Sequence, residues 1–262
     1  MKTVTSRDNP KLKALRLLLA DARKQRASGK SVLEGPHLVA AALDHGVLPD
    51  LVVVSESAVK NPEVLALIER AGQAETLCLP DALFRSLSEL ASPAGLLARI
   101  AIPAVPSAPS FEITGDCLLL DAVQDAGNVG TLLRTAAAAG VRDVLLGPGC
   151  AGAWTPRVLR AAQGAHFGLR LREQVDLAAF LKGYPGLSIA TVAREGEPLY
   201  ALDLTRPVAW LFGNEGQGLS AGLVARALRR ATIPLAPDCE SLNVAAAAAI
   251  CLFEMRRQRE FR

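Results

Sequence analysis

The sequence predicts an α/β fold built on a parallel sheet, and three observations carry that prediction. Short apolar runs alternate with segments of helical period along most of the chain. Half of the residues are hydrophobic and 21% are charged, a globular balance that excludes a disordered chain. A proline-rich stretch, Ile102-Pro-Ala-Val-Pro-Ser-Ala-Pro109, has three prolines in eight residues and interrupts the alternation. With 262 residues, the chain reads as a first domain over 1–101, a linker over 102–115 and a second domain over 116–262.

In the first domain, Asn9-Pro10 opens a helix through Leu12, Leu15, Leu18 and Leu19. Val32–Glu34 is a short strand, and Gly35-Pro36 then opens a helix with Leu38, Val39, Ala42 and Leu43 on one face. Leu51–Val54 is a strand, followed by a helix around Val64–Arg70 and another from Asp81. In the second domain, strands are expected at Cys117–Leu120, Asp143–Leu146, Leu187–Val192, Val208–Phe212 and Thr232–Leu235. Between and after them come helices at Val129–Ala139, Pro156–Ala162, Leu219–Leu228 and Leu242–Met255. Strands separated by helices imply a parallel sheet covered on both faces, with ligands beyond the strand C-termini.

Charge and cysteine usage narrow the function classes. The net charge is only +3, from 29 basic and 26 acidic residues, and does not by itself define a nucleic-acid binder. Residues 1–30 are different, because nine lysines and arginines there face only Asp8 and Asp21. That stretch is either a solvated helix face or a phosphate-contacting surface, with Arg7, Lys11, Lys13 and Arg16 as its candidate RNA contacts. Five cysteines without CxxC pairing fit reduced thiols, and three scattered histidines give no metal-ligand spacing, so no metal is expected. The longest apolar stretch near the C-terminus, 13 residues between Glu240 and Glu254, suits a buried helix rather than a membrane span. No signal-peptide pattern occurs in the first residues, and a cytoplasmic location is expected.

Three polar clusters follow predicted strands of the second domain. In the first, Asn128 stands where the helix would begin, a favoured capping position, and Arg134 lies six residues on in an otherwise apolar helix. A guanidinium there asks for an anionic partner such as phosphate. In the second, Gly213-Asn-Glu-Gly-Gln-Gly218 sets the carboxylate of Glu215 among three glycines, more than a tight turn capped by Ser220 requires. In the third, Ser241 and Asn243 both stand at the start of an alanine-rich helix, and only one of them can cap it. Gly147-Pro-Gly149-Cys-Ala-Gly152 also spells GxGxxG after a strand. Its helix begins beyond the motif, near Pro156, which argues against dinucleotide binding.

Taken in this order, the clusters resemble the three motifs of the SpoU/TrmH-type RNA 2′-O-ribose methyltransferases of the SPOUT superfamily. Asn128-Val-Gly-Thr-Leu-Leu-Arg134 looks like the first, Phe212–Gly218 the second, and Ile233-Pro-Leu through Ser241-Leu-Asn243 the third. Trp154–Phe167 also follows the family's run after the second strand. Ser6–Leu15 and Val32–Leu38 look like the family's N-terminal L30e-like substrate-binding domain.

The resemblance implies a C-terminal α/β-knot with a deep trefoil, a homodimer, and S-adenosylmethionine as methyl donor. It implies cofactor contacts at Thr191, Gly213, Asn214, Gly216, Ile233, Leu235 and Leu242, and a catalytic set of Asn128, Arg134, Glu215, Ser241 and Asn243. Arg134 matches the residue proposed as base in the family. A guanidinium stays protonated, so a grip on the neighbouring phosphate is the better expectation, with Glu215 orienting Asn128 or Arg134. The implied substrate is a ribose 2′-hydroxyl of 23S ribosomal RNA. The alternatives are transfer RNA, or a non-catalytic RNA-binding protein that retains the fold.

Overall fold

The computed structural model describes residues 1–104 and 113–260, so most of the proline-rich stretch (105–112) lies outside the described residues. The chain divides into two compact units. One is Met1–Ala104 with Trp154–Phe167, and the other comprises the described residues of Val105–Ala153 and Gly168–Arg262. The sequence reading did not separate Trp154–Phe167 from the second domain.

In the first unit the chain runs β1 (Lys2–Thr3), α1 (Pro10–Ala20), α2 (Ala22–Ser28), β2 (Lys30–Glu34), α3 (Pro36–Asp44) and β3 (Pro49–Ser55). It continues as α4 (Pro62–Arg70), β4 (Glu75–Leu79), α5 (Asp81–Arg85) and β5 (Leu96–Ala101). The sheet order is β1-β4-β3-β5-β2, mixed in direction because β5 runs antiparallel to both β2 and β3. Leu12 and Leu15 of α1 pack on Leu51, Val53, Leu77 and Leu97, the inward faces of the strands. Asn9 caps α1 through its side chain, accepting from the Lys11 N–H at 2.9 Å, as the Asn-Pro pair predicts.

The segment Trp154–Phe167 carries α7 (Pro156–Ala162) and is bound within this unit by polar contacts. The buried Ser31 hydroxyl donates to the Trp154 carbonyl at 2.7 Å. Glu34, almost wholly buried, pairs with Arg160 at 3.4 Å. The Trp154 and His166 rings pack at 5.0 Å between centroids, tilted by 53° to each other.

The second unit orders its strands β10-β12-β9-β11-β6-β7-β8, every pairing parallel. These are β6 (Cys117–Asp121), β7 (Asp143–Leu146), β8 (Arg170–Glu173), β9 (Leu187–Thr191), β10 (Glu197–Pro198), β11 (Val208–Gly213) and β12 (Arg229–Thr232). Its helices are α6 (Ala126–Ala138), α8 (Leu177–Gly183), α9 (Ala221–Val224) and α10 (Val244–Glu260). Leu119, Leu145 and Leu211 point to one face against Leu177, Phe180 and Leu223. On the other face, Trp210 is fully buried, and its indole N–H points at the Met255 sulfur of α10 at 3.4 Å. Among the described residues no helix is long and apolar enough to cross a membrane.

Three expected elements are corrected. The helix expected over 219–228 shrinks to α9, because beyond Ala225 the regular ladder breaks and the Arg226 and Ala227 N–H groups share the Leu223 carbonyl. The strand expected over 232–235 lies earlier, at Arg229–Thr232, since Pro234 offers no N–H to a ladder. The helix of the first cluster starts before Asn128. Its cap is Asp125, whose carboxylate accepts from the Asn128 N–H at 2.7 Å. Expectation also missed β1, β4, β5, β8 and β10, and the helices α2 and α8.

Candidate functional site

The C-terminal ends of β6, β9 and β11, and the chain after β12, meet in one region of the second unit. The turn after β11 folds tightly on itself. The Asn214 N–H donates to the Gly218 carbonyl at 3.0 Å, and the Gly218 N–H returns to the Asn214 carbonyl at 2.9 Å. Gly218 adopts φ +70°, and a Cβ on Gly213 would stand 2.2 Å from the Gly218 carbonyl carbon and the Leu219 nitrogen. Those two glycines are therefore demanded by the turn itself. The Asn214 side chain accepts from the Gly216 and Gln217 N–H groups and donates to the Ala122 carbonyl at 2.9 Å, tying this turn to the end of β6.

Glu215 projects from the turn onto the start of α6. Its carboxylate accepts from the N–H groups of Gln124 and Asp125, both at 3.2 Å, and from the Asn128 side-chain amide at 3.0 Å. Partial burial pushes its pKa upward. The hydrogen bonds from Asn128, its own N–H, Gln124 and Asp125 outweigh that and hold it below the ordinary carboxylate value. The Asn128 oxygen in turn accepts from the Asn243 amide at 3.0 Å. Asn243 is the cap of α10, accepting through Oδ1 from the Ala245 and Ala246 N–H groups. Three residues from three sequence clusters thus form one directed line of hydrogen bonds, Asn243 to Asn128 to Glu215.

Beside this line opens a cleft of about 130 Å³. Its lining includes Thr191, Gly213, Ile233, Leu235 and Leu242 of the implied cofactor contacts and Ser241 of the implied catalytic set, together with residues that sequence reasoning missed, notably Val192, Phe212, Val244 and Ala247. Asn214 and Gly216 do not line it; the Asn214 oxygen is taken by the Gly216 and Gln217 N–H groups and its nitrogen by the Ala122 carbonyl. The Thr191 hydroxyl is likewise engaged, donating to the Leu211 carbonyl at 2.7 Å. The lining carries no charged side chain. Beyond the end of β12, the main-chain groups of Ile233 and Leu235 bond to no other described residue. Apolar walls with open main-chain donors and acceptors suit a flat heteroaromatic ring, and the lining holds no lysine or arginine to pair with a pyrophosphate.

Arg134 stands apart from the line. It is exposed on α6 rather than packed within it, and its guanidinium makes no ion pair among the described residues. Glu215 therefore orients Asn128 and not Arg134. The Ser241 hydroxyl bonds to nothing among the described residues. Asp125 and the N–H of Gln124 escaped the sequence reading, although an aspartate three residues ahead of Asn128 is a recognisable cap signal.

In the other unit, Lys11 pairs with Glu75 and Lys13 with Asp8. Arg16 donates to the Arg7 carbonyl and the Ser86 hydroxyl. Three of the four candidate RNA contacts thus already hold partners on the protein surface.

A parallel α/β unit with an uncharged cleft at its strand ends and a polar line beside it defines a class, and the comparisons identify it. Residues 117–253 match the SpoU rRNA Methylase family, and residues 9–98 match the MRM3-like substrate binding domain. The chain belongs to the SpoU rRNA methylase family. It is 32% identical over 260 residues to the 23S rRNA (guanosine(2553)-2′-O)-methyltransferase RlmP of Bacillus subtilis, covering 98% of this chain and 100% of that one. It is 36% identical over 267 residues to an uncharacterized tRNA/rRNA methyltransferase of Synechocystis, covering 98% and 94%. The crystal structure of an AdoMet-bound rRNA methyltransferase from Sinorhizobium meliloti superposes with a TM-score of 0.83 at 29% identity, covering 98% of this chain and 97% of that one.

Proposed function

We propose that this protein transfers a methyl group from S-adenosylmethionine to a ribose 2′-hydroxyl of 23S ribosomal RNA. The observation that carries the reading is the junction of an uncharged cleft with the line Asn243–Asn128–Glu215. The names of the relatives support ribosomal RNA over transfer RNA, RlmP being one of them.

The donor supplies an electrophilic methyl on a sulfonium. The main-chain groups of Ile233 and Leu235 are available to read the adenine edge, while Phe212, Leu242 and Ala247 exclude water from its faces. With no lysine or arginine in the lining, the cleft does not repel a cation. Asn128 keeps one N–H and one oxygen lone pair after its two bonds, enough to hold a ribose hydroxyl in line. Glu215, kept ionised, fixes which way that amide faces. In this reading Arg134 holds the phosphate next to the target ribose, and the exposed Ser241 hydroxyl passes the proton released by the 2′-hydroxyl on to solvent.

The protein acts as a homodimer in the cytoplasm in this reading. A stripe on α10 supports the dimer, since Ala246, Ala249, Ile250 and Phe253 share one helix face and Phe253 is 45% exposed. The test is incubation with labelled S-adenosylmethionine and 23S ribosomal RNA from a strain lacking the gene. Label at a single ribose is expected, and label on transfer RNA alone would replace the substrate in this account.

A further inference from the structure

The glycine-rich run 147–152, which the dinucleotide reading leaves without a role, lies against the back of the catalytic loop. The chain leaving β6 turns sharply at Ala122, which holds φ +53°, a conformation unusual for a residue with a side chain. The Cβ of Ala122 rests on Gly149. A Cβ added to Gly149 would stand 3.2 Å from it, and Gly149 itself adopts φ +86°. Three further contacts hold the same segment from this side. The Gly147 N–H donates to the Leu120 carbonyl at 2.8 Å, the Cys150 thiol to the same carbonyl at 3.2 Å, and the Ala151 N–H to the Val123 carbonyl at 2.9 Å.

From the opposite side, Asn214 takes the Ala122 carbonyl and Glu215 takes the N–H groups of Gln124 and Asp125. The carbonyls of Leu120, Ala122 and Val123 are thus all satisfied, and the left-handed turn at Ala122 leads into a chain whose Gln124 and Asp125 N–H groups both point at one carboxylate.

We infer that loop 147–152, through Gly149, is a positioning element of the active site: it sets the turn at Ala122 that presents Gln124 and Asp125 to Glu215 and thereby orients Asn128. Gly149 touches neither donor nor RNA in this assignment and acts only through the loop it backs. The consequence for catalysis rests on the methyltransferase reading proposed above, whereas the consequence for the loop does not.

The experiment compares wild type, Gly149→Ala and the double variant Ala122→Gly/Gly149→Ala in the full-length protein. Amide hydrogen exchange is read at Gln124 and Asp125, S-adenosylhomocysteine affinity by calorimetry, and kcat and KM with RNA. In Gly149→Ala, exchange at those two amides is expected to rise at least tenfold and kcat to fall at least tenfold. The S-adenosylhomocysteine Kd should stay within twofold. The double variant removes the methyl that the new side chain meets, and should recover part of both losses. Unchanged exchange at Gln124 and Asp125, or a Kd that rises in step with the loss of kcat, overturns the inference. Changed exchange in a protein that methylates no RNA would leave the loop assignment standing and defeat the functional reading instead. Should Gly149→Ala fail to fold, Cys150→Ala removes the thiol donor without adding bulk. It must speed exchange at the same two amides or the inference fails.

Discussion

Asn243 caps α10 with its side-chain oxygen and donates to Asn128 with its side-chain nitrogen at 3.0 Å, so one amide serves both a helix terminus and the line that runs through Asn128 to Glu215. The two duties separate chemically. Aspartate caps a helix as well as asparagine does. It cannot donate to the Asn128 oxygen, and would face it with like polarity. Asn243→Asp is therefore expected to leave the thermal midpoint within about 2 °C of wild type while lowering kcat tenfold or more. Asn243→Ala, which also deletes the cap, should lose about 1 kcal/mol of stability as well. Paired denaturation and turnover measurements on both variants decide the matter.

The lowered pKa of Glu215 makes a pH prediction with a definite sign. The group binds protons more readily in the unfolded chain, where its value is the ordinary 4.5. Its contribution is present in full above that value and is lost as pH falls through the lower folded value. The stability difference between wild type and Glu215→Gln should accordingly be largest above pH 5 and shrink below about pH 4. Thermal unfolding across that range measures it, and a difference independent of pH would contradict the assignment.

Arg134 is exposed and without an ion-pair partner among the described residues, so Arg134→Ala should shift stability by less than about 0.5 kcal/mol. S-adenosylhomocysteine affinity should hold within twofold. If Arg134 grips RNA phosphate, kcat/KM for RNA falls at least tenfold. Turnover assays with saturating donor give the answer.

Two glycines of one turn make a contrasting pair. A Cβ on Gly213 has main-chain atoms at 2.2 Å, whereas one on Gly216 meets only the Asn214 oxygen at 3.5 Å. Gly213→Ala should lose more than about 3 kcal/mol and donor binding with it. Gly216→Ala should bind S-adenosylhomocysteine within twofold of wild type. Calorimetry on the two proteins tests both.

Neutralising Lys11, Lys13 and Arg16 together probes the basic N-terminal surface. Each side chain already has a protein partner, and exposed pairs of this kind are weak enough to yield to RNA phosphates. The logarithmic salt dependence of RNA binding should flatten by roughly 2 to 3 units if all three touch phosphate. Filter binding over a salt series measures it.

What the sequence made legible follows from local chemistry. Asn9-Pro10 announced α1, and the apolar runs at Cys117, Asp143 and Val208 announced β6, β7 and β11. Glu215, Asn128 and Asn243 were singled out because carboxamide and carboxylate groups stood where strand or helix propensity did not require them. Their mutual bonding was not legible, since 87 and 115 residues separate the partners of Asn128 from it. β8 escaped because Arg170-Leu-Arg-Glu173 alternates charge at a sheet edge, with Arg170 and Arg172 both paired to Asp143 of β7. Capping was the alternative reading of Asn128; the cap is Asp125, three residues earlier, before the larger apolar residues that mark the helix begin at Val129.

The central claim is that the chain around Gly213 and that from Ile233 to Leu242 converge to hold the methyl donor. Amide shifts in a ¹H–¹⁵N spectrum titrated with S-adenosylhomocysteine test it most directly. The account predicts that the largest changes fall on Thr191, Gly213, Ile233, Leu235 and Leu242. Changes centred on Gly147–Gly152, or none at millimolar ligand, would contradict it.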